Sequence, residues 1–238
     1  YYASLLKLHP CNTDVLFFLF EYFRGRLQQK LKRQFSYASE FLNKALELLR
    51  ASRFIAFGDS HVYLFGKRKE IEVNHVGAAT AYSLTNKDSS TGARRQIFAR
   101  LTRLNPDDDV VLLCFGEVDI RANILKYCYQ KNISIDDCVN DVVARYIEFA
   151  SEIASNGFKV IIYGGYGAGT DRTAFGFLEE RNYAASCLHE SLRTYCQSSG
   201  LVYFSLHDFF FDSGSLETSQ EFLIDDFHLY SKDDALGQ

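Results

Sequence analysis

The hydrophobic pattern of this chain changes character once, at about residue 52. From Arg53 onward, short runs rich in Val, Ile, Leu, Phe and Tyr recur at 53–58, 71–76, 109–115, 159–164 and 201–206. That length and composition suit buried strands. Stretches with helical spacing fall between and after them, around 92–104, 136–155, 178–198 and beyond Ser231. Gly157 and Gly200 stand just past two of these helices, where a glycine commonly ends a helix. Strands alternating with helices predict βαβ units, a parallel sheet and right-handed crossovers. The expected fold is therefore α/β, a three-layer α/β/α sandwich on a five-stranded parallel sheet.

Residues 1–52 follow another rhythm, and a short all-helical segment is expected there. Pro10 closes a first apolar helix, and Asn12-Thr13-Asp14 can cap a second that begins at Val15. A third runs from about Ser36 to Arg50, with Ala38, Leu42, Ala45, Leu46 and Leu49 on one face. The expected organisation is a helical segment, 1–52, before an α/β domain, 53–238.

Charge marks the same boundary. Residues 1–53 carry nine Lys/Arg against four Asp/Glu, net +5, and the remainder 17 against 26, net −9. The whole chain, at −4, does not have the charge of a nucleic-acid binder. The run Arg24, Arg26, Lys30, Lys32, Arg33 faces either solvent or an acidic partner. At 238 residues and 47% hydrophobic, the chain can bury a substantial core.

Val15–Phe20 is too short to span a bilayer, and no stretch reads as a signal peptide. There is no methionine, even at position 1, so the sequence is expected to be a piece of a longer chain. The six cysteines, Cys11, Cys114, Cys128, Cys138, Cys187 and Cys196, show no CxxC spacing. A reducing, cytoplasmic compartment is the expectation, with Cys114 a core residue of its strand.

Candidate chemistry concentrates at strand ends. Phe54–His61 runs from an apolar strand into Gly58-Asp59-Ser60, which puts a serine where open α/β sheets hold their ligands. Far downstream, Asp225 and His228 stand three residues apart, with Asp226 as a competing acid. A Ser-His-Asp arrangement is one reading; turn chemistry in a Gly-Asp-Ser loop is the other. Phe115-Gly116-Glu117-Val118-Asp119-Ile120-Arg121 leaves the third strand with two acids and an arginine. These side chains either bind a polar substrate or neutralise one another, for instance as an Asp119–Arg121 pair.

No metal is expected, because no HExxH-like ligand spacing occurs. Gly164–Gly169 lacks the Lys-Ser/Thr of a phosphate cradle and is expected to be a loop over the site.

Four blocks in this order resemble the SGNH (GDSL-type) hydrolase family. They are Gly58-Asp59-Ser60, Val76–Thr80, Gly116-Glu117-Val118-Asp119 and Asp225-x-x-His228. The resemblance implies a flavodoxin-like strand order and no cofactor. It makes Ser60 the nucleophile, His228 the general base and Asp225 its orienting partner, with the Ser60 and Gly77 N–H groups holding the oxyanion. It also implies a small acyl ester, carried by a small molecule or a glycan, as substrate. A glycan acyltransferase and a binding or scaffold module are the alternatives.

One block departs from the family pattern of Gly-x-Asn-Asp, since Val118 occupies the position of the donating Asn. Arg121 is the first candidate substitute, ahead of Asn74 and His61, and Glu117, Asp119, Arg121 and His61 are candidate substrate contacts. The chain is most similar to a subset with Gly-Asp-Ser-His and Gly-Glu-(Ile/Val)-Asp-x-Arg blocks. The N-terminal helices weakly resemble tetratricopeptide repeats, which implies a possible protein partner there.

Overall fold

The computed structural model describes residues 53–66, 69–164 and 174–205, and Glu47 alone before them. The expected N-terminal helices, the loop 165–169, the segment with Asp225, Asp226 and His228, and the helix after Ser231 lie outside the described residues. Five strands form one sheet: β1 Arg53–Gly58, β2 Ile71–His75, β3 Asp109–Cys114, β4 Lys159–Gly164 and β5 Val202–Ser205. Their spatial order is β2-β1-β3-β4-β5 and every pairing is parallel. That is the flavodoxin-like order, and its switch point, where ligands bind in such sheets, lies between β1 and β3.

Burial explains why the strands read as unbroken apolar runs. All six residues of central β3 are buried, as expected where both faces of a parallel sheet are covered. One face presents Ile55, Phe57, Val111, Leu113, Val160 and Ile162 to the main core. The other buries Phe54, Ala56, Leu112 and Ile161 to full exclusion of solvent. The sheet is thus the middle layer of a three-layer α/β/α sandwich, as expected from the sequence.

Four α-helices are described: α1 Ala93–Leu101, α2 Leu125–Lys131, α3 Ile135–Ser155 and α4 Leu178–Ser199. The longest apolar stripe is on α3, where Val139, Val143, Tyr146, Ala150 and Ile153 are buried at helical spacing. Ser134 caps α3 by accepting from the Asp137 N–H at 3.0 Å, and Asp136 and Asp137 sit in the first turn, where acids favour the helix dipole. At the start of α4, Glu180 accepts from the Phe177 N–H at 3.1 Å. The Gly200 N–H closes α4 onto the Cys196 carbonyl. The sequence pattern did not suggest α2, nor the short helical segments that follow β1, β2 and β3. Among the described residues, no helix is long and apolar enough to cross a membrane.

The two central strands touch most closely where the site begins. A Cβ on Gly58 would lie 2.5 Å from the Cys114 carbonyl oxygen and 2.9 Å from Cys114 Cβ. Both are shorter than backbone can tolerate, so only glycine lets β1 finish against β3 and turn into Asp59. Gly58→Ala should lower stability by about 1–3 kcal/mol, the usual cost of overpacking a core. Urea denaturation would register this as a lower midpoint at constant m-value. A midpoint equal to that of the native chain would show that the contact is not rigid.

Candidate active site

The switch point gathers the ends of three strands. β1 runs into a 3₁₀ turn, Ser60–Phe65, capped by Asp59, whose side chain accepts from the His61 N–H at 2.9 Å. Ser60 is therefore the first residue of the turn, half-buried, at the carboxyl end of β1. Gly77 follows β2, which pairs with β1 up to Gly58 and His75. The Val76 N–H reaches back to the Gly58 carbonyl at 3.0 Å, which holds the two loops side by side. Gly77 has φ +82°, a conformation costly for any residue with a Cβ. Its carbonyl accepts from the Ala79 N–H at 2.8 Å, a tight turn at the corner where the oxyanion donor is expected.

On the other side of the switch point, β3 passes through Gly116 and Glu117 into a π-helical turn, Asp119–Ile124, continuous with α2. Such turns recur at functional sites. Asp119 is fully buried. Its two oxygens accept from the Ala81 N–H at 2.7 Å and the Tyr82 N–H at 3.2 Å, at the start of the second 3₁₀ turn, Ala81–Thr85. Desolvation raises its pKa to about 7, and the negative Asp59 adds to the rise, against the two N–H donors that favour the anion.

Arg121 does not pair with Asp119, contrary to one expectation from the sequence. Its Nε donates to Glu117 Oε1 at 2.9 Å, four residues back along the turn. Glu117 is itself buried, and burial pushes its pKa up despite the nearby His61 and Arg121.

His61 is buried beside them, with Nδ1 2.8 Å from Asp59 Oδ1 and 3.7 Å from Glu117 Oε2. Carboxylate oxygens accept, so Nδ1 is the protonated ring nitrogen in this contact. Asp59, His61 and Glu117 could offer a cation three donors within 4.8 Å of one another. That Nδ1 proton and the Arg121 charge on Glu117 fit a hydrogen-bonded ion cluster better than a ligand set. Asp59 Oδ2 and Glu117 Oε2 are buried without a hydrogen-bond partner among the described residues, an arrangement that costs the fold free energy.

The structure thus places Ser60, His61, Gly77, Glu117, Asp119 and Arg121 around one end of the sheet. Val118 is half-buried at the entrance to the π turn. Asn74 lies on β2, with its amide donating to Glu72 Oε1 at 3.2 Å. The sequence reading missed that Asp59 serves as a cap and as the partner of His61, although an Asp before a turn is a recognisable capping signal.

No family model matches the chain, and no curated protein matches it. Solved structures do share its fold. One is a GDSL-like lipase from Bacteroides thetaiotaomicron, at TM-score 0.53 and 11% identity, covering 85% of this chain and 94% of that one. Another is a protein from Bacteroides fragilis assigned as an acylhydrolase, at TM-score 0.51 and 15% identity, covering 77% and 81%. At these identities the likeness is one of fold.

Asp119 gives the site a measurable signature. The unfolded chain ionises this acid near 3.8 and the fold holds its proton up to about pH 7. Between those values the folded state binds the extra proton, so the Asp119 contribution to stability falls as pH rises from about 4 to 7 and is level above. Thermal midpoints measured across this range should show the stability advantage of the native chain over Asp119→Asn shrinking toward pH 7. Parallel curves would mean that Asp119 keeps an ordinary pKa.

Proposed function

We propose that this chain is a serine esterase acting on a small acyl ester, with an O-acyl group on a carbohydrate as its substrate class. The observation that carries the reading is the pairing of β1 with β2, which sets Ser60 and Gly77 at adjacent strand ends beside the switch point. In this reading Ser60 Oγ attacks the ester carbonyl and passes its proton to His228, which Asp225 orients. The N–H groups of Ser60 and Gly77 stabilise the oxyanion. His228 then protonates the departing alcohol, and water, deprotonated by the same histidine, releases the acid and restores Ser60. The fold shared with a GDSL-like lipase supports the assignment. An acyltransferase differs only in that a glycan hydroxyl takes the place of water.

Val118 gives a second reading its footing. The side chain at the expected donor position offers no hydrogen, and losing one such donor typically slows an acyl transfer about 100- to 1,000-fold. A binding or scaffold module on the same fold would tolerate that loss. In the esterase reading Arg121 compensates, held by Glu117 on the turn that follows Val118. The five described cysteines, all free thiols, fit a reducing compartment such as the cytoplasm, and the N-terminal segment, 1–52, is a candidate surface for a protein partner.

A fluorophosphonate probe should add once to the native chain and not to Ser60→Ala, as read by intact mass. A folded native chain that takes no label would favour the binding module. Val118→Asn separates the two accounts of the oxyanion site. If no donor has replaced the Asn, turnover should rise about 100-fold; if Arg121 already serves, it should change little, and Arg121→Lys should then lower kcat more than it raises KM.

A further inference from the structure

A cavity of about 490 Å³ opens beside the Gly77 corner, between the Ala81–Thr85 turn, the π turn and α3. Its lining begins at Ala78, directly after Gly77, and includes Asn123, two residues beyond Arg121 on the π turn. The volume is ordinary for a small-molecule site, but the walls are not. Such sites are mostly apolar, whereas nine of these eleven lining side chains end in a hydroxyl or an amide. An acyl chain or lipid tail would have to strip water from the many hydroxyl and amide groups of these walls. A polyhydroxylated ligand meets its own chemistry, because hydroxyl and amide groups each donate and accept.

Three features narrow the class further. Tyr82 and Tyr127 stand together with ring centroids 5.9 Å apart, and their hydroxyls make no hydrogen bond among the described residues. They offer aromatic surface and polar tips, as a pyranose offers a C–H face with a hydroxyl rim. Thr80 Oγ accepts from the Ser83 N–H and Ser83 Oγ donates to the Thr80 carbonyl, so Thr80 retains a donor and Ser83 retains acceptors for a ligand.

Arg145 is the only charged residue in the lining. Its guanidinium lies 4.2 Å over the Tyr82 ring, a cation–π contact that restrains it. Asp141 takes its Nε at 3.1 Å, and the terminal amino groups make no hydrogen bond among the described residues. A planar fork held in this way suits a carboxylate.

We infer that this cavity is a saccharide subsite selective for a sugar that carries a carboxylate. Arg145 reads the acid, and Thr80, Ser83, Asn123 and the two tyrosine hydroxyls read the sugar hydroxyls. The link to chemistry, with the bound sugar bearing the ester at the Gly77 corner, rests on the esterase reading; the binding itself does not.

Titration of methyl β-D-glucuronide and methyl β-D-glucoside into the native chain, followed by NMR, tests this. The glucuronide should bind about 10- to 100-fold more tightly, the range expected for one charge-assisted contact. Arg145→Gln should abolish that preference, and Ser90→Trp, which fills the cavity from its exposed rim, should remove binding of both. The same titration on Ser60→Ala should match the native result, so a serine that takes no probe sinks the esterase reading without touching the subsite. Absence of glucuronide binding, equal affinity for the two glycosides, or binding that survives Ser90→Trp would overturn the inference.

Discussion

One buried carboxylate joins the loops on which the proposed site depends. The Ala81 and Tyr82 N–H groups open a 3₁₀ turn, and the first N–H groups of any helical turn lack partners within it. Thr80 Oγ satisfies Ser83, and Asp119, arriving from the end of β3, satisfies the other two. An apolar residue in its place would leave two N–H groups unpaired, at roughly 1–3 kcal/mol each where they are buried. The arrangement has its own cost, visible in the raised pKa of Asp119. It fixes the β2–α1 connection, with Gly77 and Tyr82, relative to the π turn, with Arg121 and Asn123. The Gly77 corner and the hydroxyl-lined cavity therefore share one anchor.

The acids around the switch point are too close for the fold's own advantage. Asp59 raises the pKa of both Glu117 and Asp119, and among the described residues His61 and Arg121 stand against them at short range. Groups this perturbed destabilise the folded chain wherever they ionise, and such clusters concentrate at functional sites. Replacing Glu117 with an apolar residue would relieve this crowding but remove the acceptor of Arg121 Nε. Its place beside Arg121 is easiest to understand if the guanidinium has to be aimed.

The strands were legible because a parallel sheet covered on both faces needs apolar residues at every position, as in Val110–Phe115. The long helices were legible through stripes such as that on α3. The exit from β3 was not. Taken as a loop, Gly116–Arg121 puts the neighbours Asp119 and Arg121 together. Once it winds into a helical turn, residues two apart diverge and residues four apart meet, which selects Glu117 for Arg121. The seven residues of α2 are too few to show a period. The cavity was invisible for a different reason: Tyr82, Tyr127 and Arg145 come from three separate elements and meet only in the fold. Ser60 and Gly77 could be placed near the sheet's end because each lies one or two residues from the end of a strand that could be read.

Val118 and the polar cavity bear on each other. An esterase without its usual side-chain donor starts with a weaker oxyanion site, and interactions away from the reacting carbon are one means of offsetting that weakness. Binding energy from a remote part of the substrate lowers the barrier only where it holds the ester in its reacting position. A subsite anchored through Asp119 to the same turns as Gly77 and Arg121 meets that condition, whereas a flexible patch on the surface would not. A generic small ester gains nothing from such a subsite. The proposed chemistry and the inferred ligand class thus support each other through geometry: the weaker the oxyanion site, the more the reaction must rely on the sugar being held.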